Sequence, residues 1–278
     1  MILTALLLSA CPAAAPLPEG DAYVRGLLDA QRGREEALSR YSYDVSEVVD
    51  DLDASGGVRK RRSRELEVYF VKGRPVRQLV GRNGQPLTGR EREKEERRAR
   101  EEAEAIAKGN TASELPGVRL SKLLARYRFL AVGREELAGR CAIAFDFEPR
   151  PGDFELDWDS VFRRLRGRLW VDEADLAVAK VAVDNSSGIK IALGLAVTVK
   201  TLAFRAEFAH LEDGVWLPRS LETLVVGRKL LVSALRVRTT LTYGHYRRFD
   251  VEVDDDVDFK LRADEADAPK PPPPKPEL

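Results

Sequence analysis

The sequence has few of the residue types that enzymes and metalloproteins use at their sites. Its 278 residues include two cysteines, two histidines and one methionine, and aromatic residues make up 7%. Nucleophilic catalysis by serine or cysteine needs a histidine base, and a zinc site needs several Cys and His ligands. His210, His245 and Cys141 each lie singly inside a strand pattern. We therefore predict neither a catalytic triad nor a zinc centre.

The chain also lacks net charge and the motifs that bind nucleotides. Forty-six basic residues balance 46 acidic residues, so no net field draws the protein toward nucleic acid. No P-loop is present, and no GxGxxG motif leads from a strand into a helix. Trp158, between Asp157 and Asp159, is the nearest candidate for a carbohydrate site, and a loop anchor explains it as well. We predict no cofactor, no nucleic-acid partner and no enzymatic activity.

Two acidic clusters begin like calcium loops but lack a diagnostic residue. Such loops need a glycine at the sixth position and a bidentate glutamate at the twelfth. The cluster that begins at Asp51 has Arg62 at its twelfth position. The cluster that begins at Asp254 has Glu265 there, but Phe259 stands where glycine is needed. A hairpin turn and a solvated strand end explain them better, so we predict no metal site.

Long apolar runs are missing except at the N-terminus. Residues 1–8 read MILTALLL, which has the length of a signal-peptide core and not of a membrane span. The following Leu8-Ser9-Ala10-Cys11 resembles the lipobox of bacterial lipoproteins, which implies that Cys11 is a lipid anchor in the outer membrane. Ordinary cleavage near Ala13-Ala14-Ala15 is the alternative. Either way residues 1–20 are excluded from the fold, the chain is exported to the bacterial envelope, and Cys141 is left as a buried, unpaired cysteine.

Most of the remaining chain alternates apolar and polar residues, as strands with one buried face do. A short amphipathic helix over residues 21–38 precedes a long hairpin, in which Tyr41–Val45 and Leu66–Phe70 alternate on either side of the turn at 53–57. Further strands are predicted at residues 74–80, 141–148, 167–171, 176–183, 189–199, 202–211, 215–226, 229–243 and 246–253.

Two more helices are predicted between the strands. Residues 88–109 form a helical insertion, because Thr88 and Glu91 have capping-box spacing and Gly109 provides a stop. The insertion is charged all round, which is typical of a solvated helix with its own i,i+4 ion pairs; a helix that contacts nucleic acid or a partner is the alternative. Val118–Tyr127 carries one apolar face.

The predicted fold is therefore mainly β, of the α+β class. Roughly ten sequential strands imply a large, curved antiparallel sheet that forms an unclosed β-barrel, with helices covering its concave face. A sheet of this size leaves a dry face for a ligand, although packing by its own side chains is the alternative. Residues 263–278 contain six prolines and are expected to form an extended tail, either a spacer or a ligand for an SH3- or WW-like partner.

Three segments resemble the LolA/LolB-like superfamily of outer-membrane lipoprotein-sorting proteins. Gly167-Arg168-Leu169-Trp170-Val171-Asp172 is similar to that group's strand ending in Trp, hydrophobe, Asp. Residues 213–219, DGVWLPR, are similar to its Asp-Gly-x-Trp-x-Pro turn, and residues 67–77 also resemble it. The resemblance covers residues 21–262 and implies an open barrel whose interior takes acyl chains, with residues 88–109 as an insertion.

The function expected from this resemblance is the binding and transfer of lipid or lipoprotein acyl chains in the periplasm or at the outer membrane. A sensory or interaction protein of the RseB type, with an envelope protein as its partner, is the alternative. The expected apolar cavity is lined by Leu66, Val68, Phe70, Ile143, Phe145, Phe147, Leu193 and Phe204.

Overall fold

The computed structural model describes residues 11, 15–20, 23, 26–30, 37–109, 126–151, 159–192, 196–211, 214–229 and 233–248. Residues 20, 23, 26–30 and 37–38 are helical and are called the N-terminal helical segment. The elements that follow are β1 (Tyr41–Leu52), β2 (Val58–Val71), β3 (Arg74–Arg82), β4 (Gln85–Pro86), α1 (Gly89–Ala107), β5 (Tyr127–Leu137), β6 (Arg140–Pro149), α2 (Asp159–Phe162), β7 (Leu165–Asp172), β8 (Ala177–Asn185), β9 (Ile189–Ala192), β10 (Ala196–His210), β11 (Trp216–Lys229) and β12 (Ser233–Arg248).

All strands among the described residues belong to one antiparallel sheet of 12 strands. Its order is β4-β3-β2-β1-β12-β11-β10-β8-β7-β6-β5, and β9 pairs with β10 beside this path. The first and last strands are neighbours, with Tyr41 opposite Arg248 and Asp51 opposite Val237. Within the part of the chain that the structure describes, the edge strands β4 and β5 do not pair with each other, so the sheet is open. The predicted fold class, an unclosed antiparallel barrel with few helices, is confirmed.

Several strand boundaries differ from those predicted. The strand predicted at 189–199 is a hairpin, in which Ile189 pairs with Val199 and Ala192 pairs with Ala196. Apolar residues alternate on both sides of this turn, so the pattern hides the break. Strand β5 was missed because its second half, Gly-Arg-Glu-Glu-Leu, does not alternate.

Two strands were predicted at 229–243 and 246–253, but residues 233–248 form one strand, β12. Lys229 ends β11, and residues 249–253 lie outside the described residues. The register of β12 shifts near Gly244, and His245 has a positive φ of 50°. The pairing with β1 continues past this irregularity, so the turn that sequence suggested at 244–245 is a bulge. The helix predicted at Val118–Tyr127 lies outside the described residues except for its end, where Tyr127 begins β5.

The sheet has two faces with different coverings. We call the face that carries Tyr43, Phe145 and Val181 the inner face. The N-terminal helical segment and α2 pack there, with Leu27 and Val161 buried among its side chains. None of the helices among the described residues is long and apolar enough to cross a membrane.

Helix α1, the predicted charged insertion, packs on the opposite, outer face. It forms the expected ion pairs along its own length, Arg92 with Glu96 and Arg98 with Glu102. It is not charged all round, because Ala99 and Ile106 are buried against Val71 and Val76. Thr88 stands at the N-cap position but makes no capping hydrogen bond through its side chain, so the predicted capping box is not formed.

The same helix also covers the edge of β3. Glu95 accepts a hydrogen bond from the Leu79 N–H, and Arg98 donates to the Arg77 carbonyl. Lys72 donates to the Ala107 carbonyl at the end of the helix. Exposed edge groups are templates for pairing with another chain, so α1 protects this edge from strand-to-strand association.

We predict that Ala99→Gln lowers the free energy of unfolding by about 2–3 kcal/mol, because Ala99 is 1% exposed and a buried amide there is overpacked and unpaired. Arg100→Gln, the exposed neighbour on the same helix, should change it by less than about 0.5 kcal/mol. Urea unfolding of both variants measures the difference. Equal, small effects would show that α1 is not packed on the sheet.

Candidate functional site

The candidate site is the apolar inner face, which consists of two side-chain clusters. The larger cluster lies on β5 to β10 and is called the covered cluster. Phe145 is 0% exposed in it, and the Tyr23 ring stacks on Phe145 with 5.3 Å between the ring centroids. Its buried members are Leu27, Tyr127, Phe129, Ile143, Phe145, Phe147, Val161, Leu165, Leu169, Val171, Val178, Val181, Val183, Ile189 and Val199.

The chain itself fills the covered cluster. Tyr23, Leu27 and Leu28 enter it from the N-terminal helical segment, and Leu27 is 0% exposed. Burial, helped by the nearby Glu173 and Asp172 carboxylates, raises the pKa of Tyr23 to about 12. The Tyr23 hydroxyl has no hydrogen-bond partner among the described residues. This half of the inner face is therefore a packed core.

The smaller cluster lies on β1, β2 and β12 and is called the aromatic cluster. The Tyr43 ring is 5.3 Å from that of Tyr246, 6.0 Å from Tyr243 and 6.3 Å from Phe70, measured between centroids. Burial raises the pKa of Tyr43 to about 12. Tyr43, Val45 and Val68 are buried, whereas its other members keep part of their surface exposed: Leu38, Leu66, Phe70, Leu241, Tyr243 and Tyr246.

Toward the turn between β1 and β2, the inner face carries charged side chains instead of apolar ones. On the inner face Glu47 pairs with Arg64, and Asp51 pairs with Arg62 at 3.3 Å. Glu47 and Asp51 follow Val45 on β1 by even numbers of residues. Arg64 and Arg62 precede Leu66 on β2 in the same way, so all four side chains lie on the inner face. The inner face is therefore amphipathic along the strands, with an apolar half and a polar rim.

The residues predicted to line one cavity fall into both clusters. Ile143, Phe145 and Phe147 belong to the covered cluster, and Phe204 packs partly buried against it. The aromatic cluster contains the other three described candidates, Leu66, Val68 and Phe70. Leu193 lies outside the described residues. Sequence reasoning missed Tyr43, Tyr243 and Tyr246. Alternation places Tyr43 and Tyr243 on the same face, but Tyr246 reaches that face only because of the bulge near Gly244 and His245.

A polar network joins the two tryptophan motifs found in the sequence. Arg140 binds both carboxylate oxygens of Asp172, at 2.7 and 2.9 Å, and also Asp175 at 2.6 Å. The Trp216 indole N–H donates to Asp175, and the Arg140 guanidinium lies 5.5 Å from the Trp216 ring. Burial alone would raise the pKa of Asp172, but the bonds from Arg140 and the Asp175 N–H outweigh it and lower that pKa. The network fixes three hairpin ends together.

The two histidines lie in separate ion-pair sites. The Nε2 atom of His210 is 3.4 Å from Asp175, so this ring belongs to the network of Arg140. The Nδ1 atom of His245 is 2.8 Å from Asp44 on an exposed surface. Both rings contact carboxylates on the sheet surface, as structural histidines do.

The calcium-like sequence at Asp51 forms a hairpin turn, the expected alternative. Asp53 Oδ1 accepts hydrogen bonds from the backbone N–H groups of Ser55 and Gly57 and from the Ser55 hydroxyl. Over the part of the chain that the structure describes, no group of three or more His, Cys, Asp or Glu side chains is placed to hold a metal ion. The second calcium-like sequence, from Asp254, lies outside that part.

Cys11 and Cys141 form a disulfide, which corrects the expectation that Cys141 is unpaired. Their Cα atoms are 5.4 Å apart, in the ordinary range for a disulfide. Arg134 holds the following segment by donating to the carbonyls of Ala15 and Pro16. A disulfide sulfur has no thiol left for a lipid thioether, so this pairing and the expected lipid anchor at Cys11 exclude each other in one molecule.

No protein-family model and no curated protein sequence matches the chain. Solved structures that are similar to it over most of their length include three from different bacteria. They are a DUF1329 family protein from Desulfovibrio piger (TM-score 0.38, 13% identity, 84% of this chain and 95% of that one), an outer membrane lipoprotein-sorting protein domain from Vibrio parahaemolyticus (0.38, 14%, 81% and 93%) and a LolA superfamily protein from Nitrosomonas europaea (0.31, 12%, 82% and 94%). The second and third of these proteins belong to the group that the sequence resemblance names.

We predict that Asp172→Asn lowers the free energy of unfolding by about 2 kcal/mol at pH 7, because Arg140 loses its buried partner. The folded-state pKa of Asp172 lies below its unfolded value, so its stabilising contribution is present above about pH 4 and is lost as the pH falls below that. The variant should therefore lose less stability than the wild type on acidification. Urea midpoints from pH 7 to pH 3 measure this. Asp146→Asn, which breaks an exposed pair with Arg168, is the control and should cost below about 1 kcal/mol.

We also predict that the protein that retains Cys11 has no free thiol until a reductant is added. Intact-mass spectrometry after alkylation, with and without reduction, tests this. Cys11→Ser and Cys141→Ser should each lower the free energy of unfolding by about 2–4 kcal/mol, because either change opens the same long loop. A lipid mass on Cys11, together with a Cys141 that alkylates without reduction, would instead establish the lipid anchor.

Proposed function

We propose that the protein is a non-enzymatic binding protein of the bacterial envelope, which takes a lipid or the acyl chains of a lipoprotein against its inner face and transfers them. The observation that carries this proposal is the aromatic cluster. Its members form a contiguous apolar surface on three neighbouring strands, and six of them remain partly exposed. The apolar run at residues 1–8 has the length of a signal-peptide core and supports export to the envelope, where such ligands are present.

The two clusters have different parts in this proposal. The covered cluster already holds Tyr23 and Leu27, so an acyl chain reaches Phe145 only if the N-terminal helical segment moves away. The aromatic cluster contains only Leu38 of that segment, and six of its members remain partly exposed. We therefore propose that Leu66, Phe70 and Tyr243, backed by the buried Val68 and Tyr43, form the primary ligand surface. Ile143, Phe145 and Phe147 belong to the packed core on the other half of the inner face.

The polar rim suits an amphiphile better than a pure hydrocarbon. An acyl chain on the aromatic cluster has its polar end near Glu47 and Arg64, which are charged and lie on the same face. Each buried methylene contributes about 0.8 kcal/mol, so affinity comes from chain length. The head group adds orientation, because burying it in the apolar half would leave its polar groups without partners.

A sensor of the RseB type is the alternative to a carrier, and the two differ in the consequence of ligand binding. A carrier releases its ligand to an acceptor membrane, whereas a sensor changes its affinity for a protein partner. Both need the same ligand surface, so the measurement below tests what they share.

We predict that fluorescent fatty acids of increasing length bind with dissociation constants that fall about tenfold or more for every two methylenes added. Leu66→Asn should weaken the binding of the longest probe at least about tenfold. Leu130→Asn is the matched control, because Leu130 is an apolar residue that is 68% exposed and lies outside the clusters, and it should leave binding unchanged. Fluorescence titration gives the constants, and circular dichroism checks that both variants fold. Affinity independent of chain length, or equal behaviour of the two variants, would rule out this ligand surface.

A further inference from the structure

Positive charge is concentrated at one end of the sheet, although the chain as a whole has none in excess. The hairpins β1–β2 and β11–β12 lie side by side there, because Asp51 pairs with both Lys60 and Val237. We call this region the basic end. Its acidic residues are Asp50, Asp51 and Asp53, and its described cationic side chains are Arg59, Lys60, Arg61, Arg62, Arg228, Arg236 and Arg238.

Every acidic residue of the basic end is already engaged. Asp50 is bound through both carboxylate oxygens by Arg61, at 2.7 and 2.9 Å. Asp51 pairs with Arg62, and Asp53 accepts hydrogen bonds within its own turn. The pKa of Asp50 is lowered, first by the hydrogen bond from Arg61, so its charge is held as a partner of that arginine.

The other cations of the basic end have no such partner. Within the residues that the structure describes, Arg59, Lys60, Arg228, Arg236 and Arg238 form no ion pair within 4.0 Å. They are therefore available to an anion supplied from outside the chain.

A cleft between the two hairpins brings two of these cations to one opening. It has a volume of about 270 Å³, and Arg59 lines one side and Arg236 the other. Asp51 and Asp53 also line it, but both are occupied as described above. A guanidinium presents a planar fork of N–H groups that fits a phosphate, so two of them across a small cleft favour a phosphate group.

The arrangement of the free cations indicates an extended partner. They are spread over β2, β12 and β11, which spans three strand spacings or about 14 Å, and they project from both faces of the sheet end. Lys60 lies on the inner face, whereas Arg238 lies opposite Asp50 on the outer face. Charge distributed over an end in this way matches a plane of charge better than a single small ion or a narrow acidic peptide.

The basic end also has one exposed apolar side chain. Val58, directly before Arg59, is 47% exposed. Basic residues around an exposed apolar side chain are the composition of surfaces that bind at the boundary of an anionic bilayer. We propose that the basic end docks on an anionic phospholipid membrane, with lipid phosphates at Arg59 and Arg236.

This docking surface goes beyond the proposed ligand surface and stands apart from it. The inner face leads from the aromatic cluster through Glu47 and Arg64 to the basic end along the same strands. Docking would therefore bring the polar rim toward the bilayer. The two proposals use different residues, so one can fail while the other holds.

The test is sedimentation of the purified full chain with vesicles of phosphatidylcholine alone or with about one-third phosphatidylglycerol. We predict binding to the anionic vesicles only, and its loss as salt rises from about 0.05 M to about 0.5 M, since screening is strong at that ionic strength. Arg59→Glu/Arg236→Glu should weaken this binding at least about tenfold. The matched control is Arg97→Glu/Arg205→Glu, which reverses two exposed arginines on α1 and β10 and should change it less than about twofold.

Equal losses in the two double variants, or equal binding to both kinds of vesicle, would overturn the proposal. Binding to polyglutamate but not to anionic vesicles, lost in Arg59→Glu/Arg236→Glu, would assign the surface to an acidic protein and would also overturn it. Arg59→Gln/Arg236→Gln replaces the first variant if thermal melting shows that charge reversal prevents folding. Leu66→Asn should keep vesicle binding, and Arg59→Glu/Arg236→Glu should keep fatty-acid binding, so the results separate docking from the proposed function.

Discussion

The pairing of β1 with β12 is the constraint on which the rest of the structure depends. Without it the strands would form two separate sheets, β4 to β1 and β12 to β5. The ladder from Tyr41 and Arg248 to Asp51 and Val237 joins them into one sheet with a single inner face. It places Tyr43 beside Tyr243 and Tyr246, and it brings the two basic hairpins together. The proposed ligand surface and the proposed docking surface are both consequences of this pairing.

An open sheet must protect two edges, and this chain uses a different device at each. At β3 the charged helix α1 occupies the edge groups through Glu95 and Arg98. At β5 the segment that follows Cys11 lies alongside the strand, held by Arg134. Gly20 lies so close to it that a Cβ atom there would stand 2.3 Å from the Phe129 carbonyl oxygen. Because both edges are covered, the sheet stays open without inviting pairing with another chain.

The charged residues of the chain, like its apolar residues, are distributed unevenly over the sheet. At the ends of β6, β7 and β11, acids and bases satisfy each other in the network of Arg140, Asp172 and Asp175, which leaves little charge for a partner. At the opposite ends of β2 and β12, the acids are fewer than the bases. The formal net charge of the chain is zero, but only one end of the sheet has its acidic and basic residues paired with each other. The other end has more basic than acidic residues.

The sequence by itself determined the features that depend on neighbouring residues. Alternation in Tyr41–Val45 and Leu66–Phe70 gave the first hairpin and its buried face, and residues 88–108 gave a helix, because both periodicities are local. It also found Trp170, Asp172 and Trp216 as notable residues, without showing that Arg140 connects them. It missed β5 and the break between β9 and β10, where alternation is absent or continues through a turn.

Only the tertiary structure decided how these pieces are divided between surfaces. Eight apolar residues that shared one pattern were expected in one cavity, yet Phe145 is packed under Tyr23 while Phe70 lies with Tyr43 in a partly exposed cluster. The partner of a strand, the covering of a face and the pairing of Cys11 with Cys141 depend on residues more than 100 positions apart. A periodic pattern shows that a side chain is buried, but only the folded chain determines what buries it.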